Sequence, residues 1–387
     1  MRKALIIILA AGCCIAGYAT DARVASMGKH DAFFMDEESV FRNPANVSIY
    51  PNMIYGSLGK LTTKDSVPKL EDPFFGAIIS YSTNGQSENG GQYPMLSFGA
   101  VFNRYDEMLD YVTKGKPNCL DSTVSLYKPV GKVDLLLGYV MQNGFMLGVG
   151  GYVAAQEKEK DGDISQTKIY KGNVGVNWPV AKTMDLEMSL SGGMITAIAD
   201  GNELADNDKF GRFEIRLFSA LAGINGDFVP RARVDFLNLE KENDLKIDLA
   251  AGLGMNLNID KGFFWSGLEF VYGQRDKDDA EASQDVGGRI SFGIERNVIW
   301  DWLVIRTGGQ KTLLVKKVGA DEKEYHENAS FDESLGDLIG FGFGINIENR
   351  LRIDFVANEL LPYTFTDMIS NGQLKYIFNK MSVTYSF

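Results

Sequence analysis

The feature that most constrains this fold is a strict alternation of residue types between Asp244 and Ile259. Every odd-numbered position from Leu245 onward is apolar, whereas the even-numbered positions hold charged, polar or small residues. A period of two over this length is a strand pattern that a helix cannot produce. Strands of globular proteins have about 5–6 residues, whereas a tilted strand needs about 9–11 residues to cross a bilayer. The segment is therefore long for a soluble sandwich and suits a membrane barrel.

The same alternation recurs later in the chain, at 286–295, 339–347 and 350–355. In a sandwich the apolar face would form the core, whereas in a barrel it faces lipid and the polar face lines the lumen. We count sixteen candidate strands, and the alternation is weakest in the three before residue 105. The pattern predicts an all-β fold, a transmembrane antiparallel β-barrel of about 14–16 strands.

The lengths of the links between strands indicate the orientation of the barrel. From about residue 132 onward short and long links alternate, with one exception near 240–243. The short links lie near 142–144, 179–182, 225–227, 260–261, 297–298 and 348–349. The long links lie near 157–166, 200–209, 275–284, 318–336 and 359–377. Because bacterial barrels have short periplasmic turns and long outer loops, the short links are assigned to the periplasm.

Aromatic residues occupy positions that are typical of such a barrel. All four tryptophans lie beside short links, at Trp178, Trp265, Trp300 and Trp302. Aromatic girdles collect at a membrane interface, which predicts this clustering. The segment Lys380–Phe387 alternates strictly and ends on an aromatic residue. It resembles the final strand that the barrel assembly machinery of the outer membrane recognises.

The first residues indicate export across the inner membrane. Arg2 and Lys3 precede an uncharged apolar run, and Gly17 and Ala19 have the spacing of a signal peptidase site. This arrangement predicts a cleavable signal peptide at 1–19. A lipoprotein signal ending before Cys13 is the disfavoured alternative, because Ala10 stands where a branched apolar residue is usual. After cleavage at residue 19 only Cys119 remains, which excludes a disulfide-stapled scaffold.

Composition argues against several classes of function. The net charge of −12 disfavours a nucleic-acid partner. Only His30 and His326 are present, and neither a metal-ligand spacing nor a phosphate-binding glycine loop occurs. We therefore expect no cofactor, no metal site, no catalytic residue and no enzymatic activity. A hydrolase site around His326 and the neighbouring glutamates is a third-ranked alternative, and a solvated charged loop is the preferred interpretation.

Residues 20–51 lack strand alternation and carry an ordered set of short motifs. These are Ala22-Arg23, Met27-Gly28, Asp36-Glu37 and Asn43-Pro44-Ala45. The block resembles the start of the FadL-type outer-membrane transport family, which includes the PorV-like proteins. The resemblance implies a fourteen-stranded barrel whose N-terminal segment folds inside as a hatch. A barrel of this size is too wide for its own side chains to fill, so a physical argument also predicts an internal plug at 20–51, with the barrel at 52–387.

The candidate functional residues lie in the hatch and on the polar faces of the strands. The hatch motif comprises Asp36, Glu37, Asn43, Pro44 and Ala45. The predicted lumen-lining residues are Arg212, Glu214, Arg216, Arg231, Arg233, Asp235, Glu269 and Arg289. Such charges either shape selectivity or, as we favour, pair across the lumen and hold the plug. Asp36, Glu37 and Glu38 have the sign required to pair with Arg231 and Arg233.

These features predict a protein of the Gram-negative outer membrane, in contact with lipid and lipopolysaccharide. The leading function is passive uptake of a small hydrophobic or amphipathic compound, and the family resemblance supplies that substrate class. The alternative is a PorV-like scaffold for protein secretion or surface attachment, without transport. An apolar pocket beneath the hatch would favour transport, whereas a lumen filled by salt bridges would favour the scaffold.

Overall fold

The computed structural model describes most of the chain after residue 20. The described residues are 21–28, 31–60, 73–82, 95–106, 131–160, 163–199, 202–239, 244–277, 280–298, 300–318, 322–327, 338–348, 350–357 and 378–387. The predicted signal peptide at 1–19 lies outside them. Within this part of the chain, no helix is both long and apolar enough to cross a membrane.

The strands form one closed antiparallel sheet. They are β1 Met53–Lys60, β2 Phe74–Ser82, β3 Met95–Phe102, β4 Gly131–Val140, β5 Met146–Lys160, β6 Asp163–Ala181, β7 Met184–Ala199, β8 Asn202–Ala220, β9 Gly226–Leu239, β10 Asp244–Ile259, β11 Gly262–Lys277, β12 Ala280–Asn297, β13 Leu303–Val318, β14 Glu322–Glu327, β15 Leu338–Ile347, β16 Leu351–Ala357 and β17 Phe378–Ser386. Neighbours in sequence pair with each other, and β17 pairs with β1, from Met53–Ser386 to Lys60–Lys380. Closure leaves the sheet without an edge strand, which confirms the predicted barrel.

The seventeen strands occupy sixteen positions around the barrel. Both β14 and β15 pair with β13, the first along Leu313–Val318 and the second along Leu303–Gln310. They therefore share one position in the circumference. Sixteen positions agree with the count made from the alternation, whereas the fourteen strands implied by the family resemblance do not apply to this chain.

The two faces of the sheet follow the alternation. In β10 the side chain of Leu249 points outward and is 39% exposed, whereas Asp248 points inward and is 5% exposed. Large apolar side chains are exposed on the outer face of strand after strand, including Leu253, Leu268 and Ile290. An apolar outer band above a polar interior is the surface that a bilayer covers in a membrane barrel.

The links differ between the two ends of the barrel, although not as the sequence predicts. At the short-link end, turns of a few residues join consecutive strands, as at 182–183 and 260–261. At the opposite end, predicted loops at 157–166, 200–209 and 275–284 are mostly strand. Lys160 pairs with Asp163, and Lys277 pairs with Ala280. Ladder hydrogen bonds do not require apolar side chains, so the hairpins continue where the alternation of hydrophobicity ends.

One tryptophan departs from the predicted girdle. Trp178, Trp300 and Trp302 are exposed near the short turns, as the girdle requires. Trp265 instead is fully buried and faces the lumen, because it pairs with the inward-facing Asn256. The girdle prediction is therefore wrong for Trp265, whose ring packs against apolar residues of the N-terminal segment.

The described residues before β1, 21–28 and 31–50, lie inside the barrel and are called the inner segment here. Two short helices, α1 Asp21–Ser26 and α2 Ser39–Arg42, precede a 3-10 helix at Pro44–Ser48. Gly28 adopts φ of 95° just after α1, a conformation that favours glycine. The segment follows the inner wall against the order of the strands, from β15 at Ser26 to β4 at Val47.

Candidate functional site

Inward-facing glycines form the seat of the inner segment. A Cβ added at Gly254 or Gly267 would overlap the ring of Phe33, and one added at Gly308 would overlap the backbone of Met27. The same holds where Ser26 crosses Gly342. Glycines at these positions let the backbone approach the wall more closely than any side chain would permit. The high glycine content of the strands thus has a specific use on the inner face.

The predicted motif Asn43-Pro44-Ala45 lies at the tightest part of this seat. Asn43 caps the 3-10 helix through its side-chain oxygen, which accepts a hydrogen bond from the backbone N–H of Ala45 at 3.1 Å. Its Nδ2 donates to the carbonyl of Val176 at 3.1 Å. Pro44 and Ala45 occupy the space beside Gly148. Extended backbone before proline and a capping side chain explain the need for Asn-Pro here.

Asp36 and Glu37 are buried, and each pairs with a different arginine. Asp36 pairs with Arg23 of α1, and Glu37 accepts a hydrogen bond from Nη2 of Arg352 in β16 at 2.6 Å. The expectation that these acids pair with Arg231 and Arg233 is wrong. Those arginines already have carboxylate partners in the barrel, so the inner segment pairs elsewhere.

A chain of alternating charges joins Asp36 to Glu37 through the wall of the barrel. Arg23 donates from Nε to Glu295 at 2.9 Å, and Nε of Arg306 donates to the same carboxylate at 2.5 Å. Arg306 and Arg352 both bind Asp354, at 2.6 and 3.1 Å. Sequence reasoning missed Glu295, Arg306 and Asp354 as a group, because they stand on three different strands.

The predicted lumen-lining residues are brought together in pairs. Arg231 binds Glu214 at 2.7 Å and Glu269 at 2.5 Å, and Arg289 approaches Glu269 at 3.6 Å. Both Arg212 and Arg233 bind Asp235, at 2.6 and 3.0 Å. Because each buried charge lies beside an opposite one, this layer of the lumen is close to neutral.

Arg216 connects the wall to the backbone of the inner segment. Its Nε donates to Glu187 at 2.8 Å, and its Nη1 donates to the carbonyls of Asp31 and Phe34, each at 3.1 Å. Glu187 also accepts a hydrogen bond from Asn46 at 3.0 Å. Of these residues only Arg216 was a predicted lumen residue, and Glu187 follows only from the register of β7 with β8.

Arg42 makes the other main link on this side. It pairs with Asp31 within the inner segment at 2.5 Å and approaches Glu214 of the wall at 3.6 Å. Burial would raise the pKa of Asp31, but the charge and hydrogen bonds of Arg42 hold that pKa below its ordinary value. The cleft between Arg42, Glu187 and Arg216 is too narrow to admit a solute.

Toward the long-hairpin end, one side of the inner wall is apolar. The buried residues of this apolar wall come from β5 to β9, and they are Tyr152, Ala154, Ile169, Ile195, Ala197, Phe210 and Leu237. Tyr105 packs against them. The alternation analysis missed this wall because β6 has apolar residues on both faces here, as the neighbours Ile169 and Tyr170 show.

Arg104 lies between this apolar wall and the inner segment. It follows β3, bonds Asp134 from Nε and Nη2 at 3.0 and 2.8 Å, and bonds Asp106 at 2.9 Å. Its guanidinium lies 3.9 Å from the ring centroid of Phe41. This cation–π contact ties the chain that leaves β3 to the inner segment. Nothing in the sequence around Arg104 indicated it.

Comparisons with known proteins place the chain near two solved structures. No family model and no curated protein matches it. The structure titled "TodX deltaS2S3 mutant monoaromatic hydrocarbon channel" is similar with a TM-score of 0.39 and 9% identity, over 96% of this chain and 99% of that one. The structure titled "CymD monoaromatic hydrocarbon channel" is similar with a TM-score of 0.37 and 10% identity, over 95% and 98%.

Proposed function

We propose that this protein is an outer-membrane channel for passive entry of a small hydrophobic or amphipathic compound, with the inner segment as its plug. The observation that carries the proposal is the apolar wall on β5 to β9, inside a barrel whose remaining interior is charged. A pore for water-soluble solutes is lined by polar groups. An apolar interior surface offers a favourable surface to an apolar solute that has left water.

The residues of the plug fit such a role. Its charges are paired with those of the wall, so the lower lumen is closed in this conformation. Entry of a compound then requires displacement of part of the inner segment. The FadL-type resemblance of the block at 20–51 supports the same assignment, and it is the source of the hatch interpretation.

The test is entry into vesicles that contain the purified protein. Ile195 is fully buried in the apolar wall, and Ile195→Asn would place an amide there, whereas Ile195→Leu keeps the surface apolar. We expect an apolar compound to enter faster than a sugar of similar size, and Ile195→Asn to slow entry by about tenfold relative to Ile195→Leu, since an unpaired buried amide costs about 1–3 kcal/mol. Equal entry of the sugar and the apolar compound would refute the proposal.

One observation favours the second candidate, a scaffold for protein secretion or surface attachment. The charges at Arg231, Glu214 and Glu269 are buried and mutually paired, so this layer of the lumen resembles a packed core. For a scaffold, deletion of the gene would remove proteins from the cell surface and leave uptake unchanged. Loss of uptake with an unaltered set of surface proteins would reject this candidate.

A further inference from the structure

The chain of charges between Asp36 and Glu37 is unequal in its two signs. It contains four carboxyl groups, on Asp36, Glu295, Asp354 and Glu37, but three guanidinium groups, on Arg23, Arg306 and Arg352. Each arginine binds two acids. Glu295 and Asp354 each bind two arginines, whereas Asp36 and Glu37 bind one each. The two acids with a single arginine partner are therefore the two ends of the chain.

These two ends meet, because Asp36 and Glu37 are adjacent in sequence. The backbone N–H of Glu37 donates to Oδ1 of Asp36 at 2.6 Å. The side chains of the two residues are also within hydrogen-bonding reach of each other. Two carboxylates cannot hydrogen-bond unless one carries a proton, and both residues are buried. A single proton between them would close the charge chain into a neutral ring.

We propose that one proton shared by Asp36 and Glu37 closes this charge ring and holds the first half of the inner segment against β12, β13 and β16. When the proton leaves at alkaline pH, two buried negative charges face each other and the first half of the segment loosens. The second half, which Asn43 and Asn46 attach to β6 and β7, does not depend on this proton.

The surroundings of the two acids assign the proton and the direction of the effect. Burial and the neighbouring Glu37 raise the pKa of Asp36 well above its ordinary value. Burial acts to raise the pKa of Glu37 as well, but Arg352 keeps it below its ordinary range. Tyr50 also faces the pair, and its pKa is raised by burial and by both acids, so it stays neutral.

The sign of the linkage follows from the raised pKa of Asp36. The docked segment holds a proton that a released segment would lose at neutral pH. Docking is therefore favoured at low pH and is weakened as the pH rises through the raised pKa. Arg23, Arg306 and Arg352 remain charged throughout the accessible range.

The experiment measures exposure of the first half of the segment. Ser26 is fully buried beside Gly342, so Ser26→Cys, in a Cys119→Ser background, reports on docking with little change in volume. Its rate of labelling by a water-soluble thiol reagent is divided by the rate in urea at the same pH, which removes the ionisation of the thiol. We expect this ratio to rise by about tenfold or more between about pH 6 and about pH 9. Ser48→Cys in the second half should stay protected at both.

Substitutions at the acids separate a shared proton from a general loss of structure. Asp36→Asn or Glu37→Gln alone leaves three acids with three arginines, so each single variant should keep Ser26→Cys protected at both pH values. The double variant leaves one arginine in excess and should expose it at both. A ratio in the wild type that does not change with pH would overturn the proposal. It would equally fail if Asp36→Asn exposed Ser26→Cys at about pH 6 as fully as the double variant does.

Discussion

The backbone of Pro44 occupies the space that a side chain at Gly148 would fill. Gly148 lies on the inner face of β5, two residues after the strand begins. A proline backbone thus meets the wall at a position where the wall has no Cβ. The close approach is specific to the inner face. On the outer face of the same strand, Gly151 has no atom within 4 Å of an added Cβ.

This relationship predicts that Gly148→Ala displaces the inner segment without opening the barrel. Overpacking of a close contact costs about 1–3 kcal/mol, and the loosely held inner segment is expected to yield before the strand ladder. Protease should then cleave between residues 31 and 50 faster than in the wild type, while heat-resistant migration in a gel is retained. Gly151→Ala is the matched control and should change neither measurement. Equal protease resistance in both variants would contradict the close contact at Pro44.

A second prediction concerns the lipid-facing and lumen-facing sides of β10. Arg at a lipid-facing site near the midplane costs about 2–4 kcal/mol, and Leu249 is such a site. Asp248, next to it, faces the lumen and pairs with Lys246 at 3.1 Å. Leu249→Arg should lower the free energy of unfolding from lipid in urea by this amount, and Asp248→Asn should lower it less. Similar losses in the two variants would mean that the faces of β10 are assigned incorrectly.

Removal of the Arg216 guanidinium should release the centre of the inner segment. In Arg216→Gln, Glu187 keeps only Asn46 as a hydrogen-bond donor among the described contacts, and two backbone carbonyls lose theirs. Breaking a buried ion pair by removing one partner costs about 3–5 kcal/mol. The loss should appear as a lower urea midpoint for unfolding.

A compensating change tests the cause of that loss. Arg216→Gln combined with Glu187→Gln removes the unpaired buried charge, and the double variant should recover part of the midpoint. If the double variant unfolds at a lower urea concentration than the single variant, an unpaired carboxylate is not what destabilises Arg216→Gln.

The orientation of the barrel is a separate prediction. Asp163 lies at the tip of the β5–β6 hairpin, opposite Lys160, whereas Asn143 lies in the turn between β4 and β5. With the short turns in the periplasm, a cysteine at Asp163 should react with a membrane-impermeant reagent on intact cells. A cysteine at Asn143 should react only after lysis. Both measurements use the Cys119→Ser background, and reaction at Asn143 alone on intact cells would show the reverse orientation.

The alternation of residues was sufficient to predict the class of fold and the side of each strand. Period two is a local property, and it assigns Leu249 and Asp248 to opposite faces whatever the partners of β10 are. It also determined sixteen strand positions, against the fourteen implied by the resemblance of residues 20–51. Local periodicity does not reveal where a hairpin ends, because ladder hydrogen bonds continue through charged residues such as Lys160 and Asp163.

The contents of the lumen were decided only by the tertiary structure. Sequence alone gives a sign to Asp36 and Arg231, but pairing depends on which side chains a closed sheet and its register bring within about 3 Å of each other. That geometry pairs Glu37 with Arg352, some three hundred residues away, and leaves Arg231 to Glu214 and Glu269. It likewise turns Trp265 inward to meet Phe34, at 5.3 Å between ring centroids. Long-range contacts of this kind have no local signal, because they form between residues that the chain itself keeps far apart.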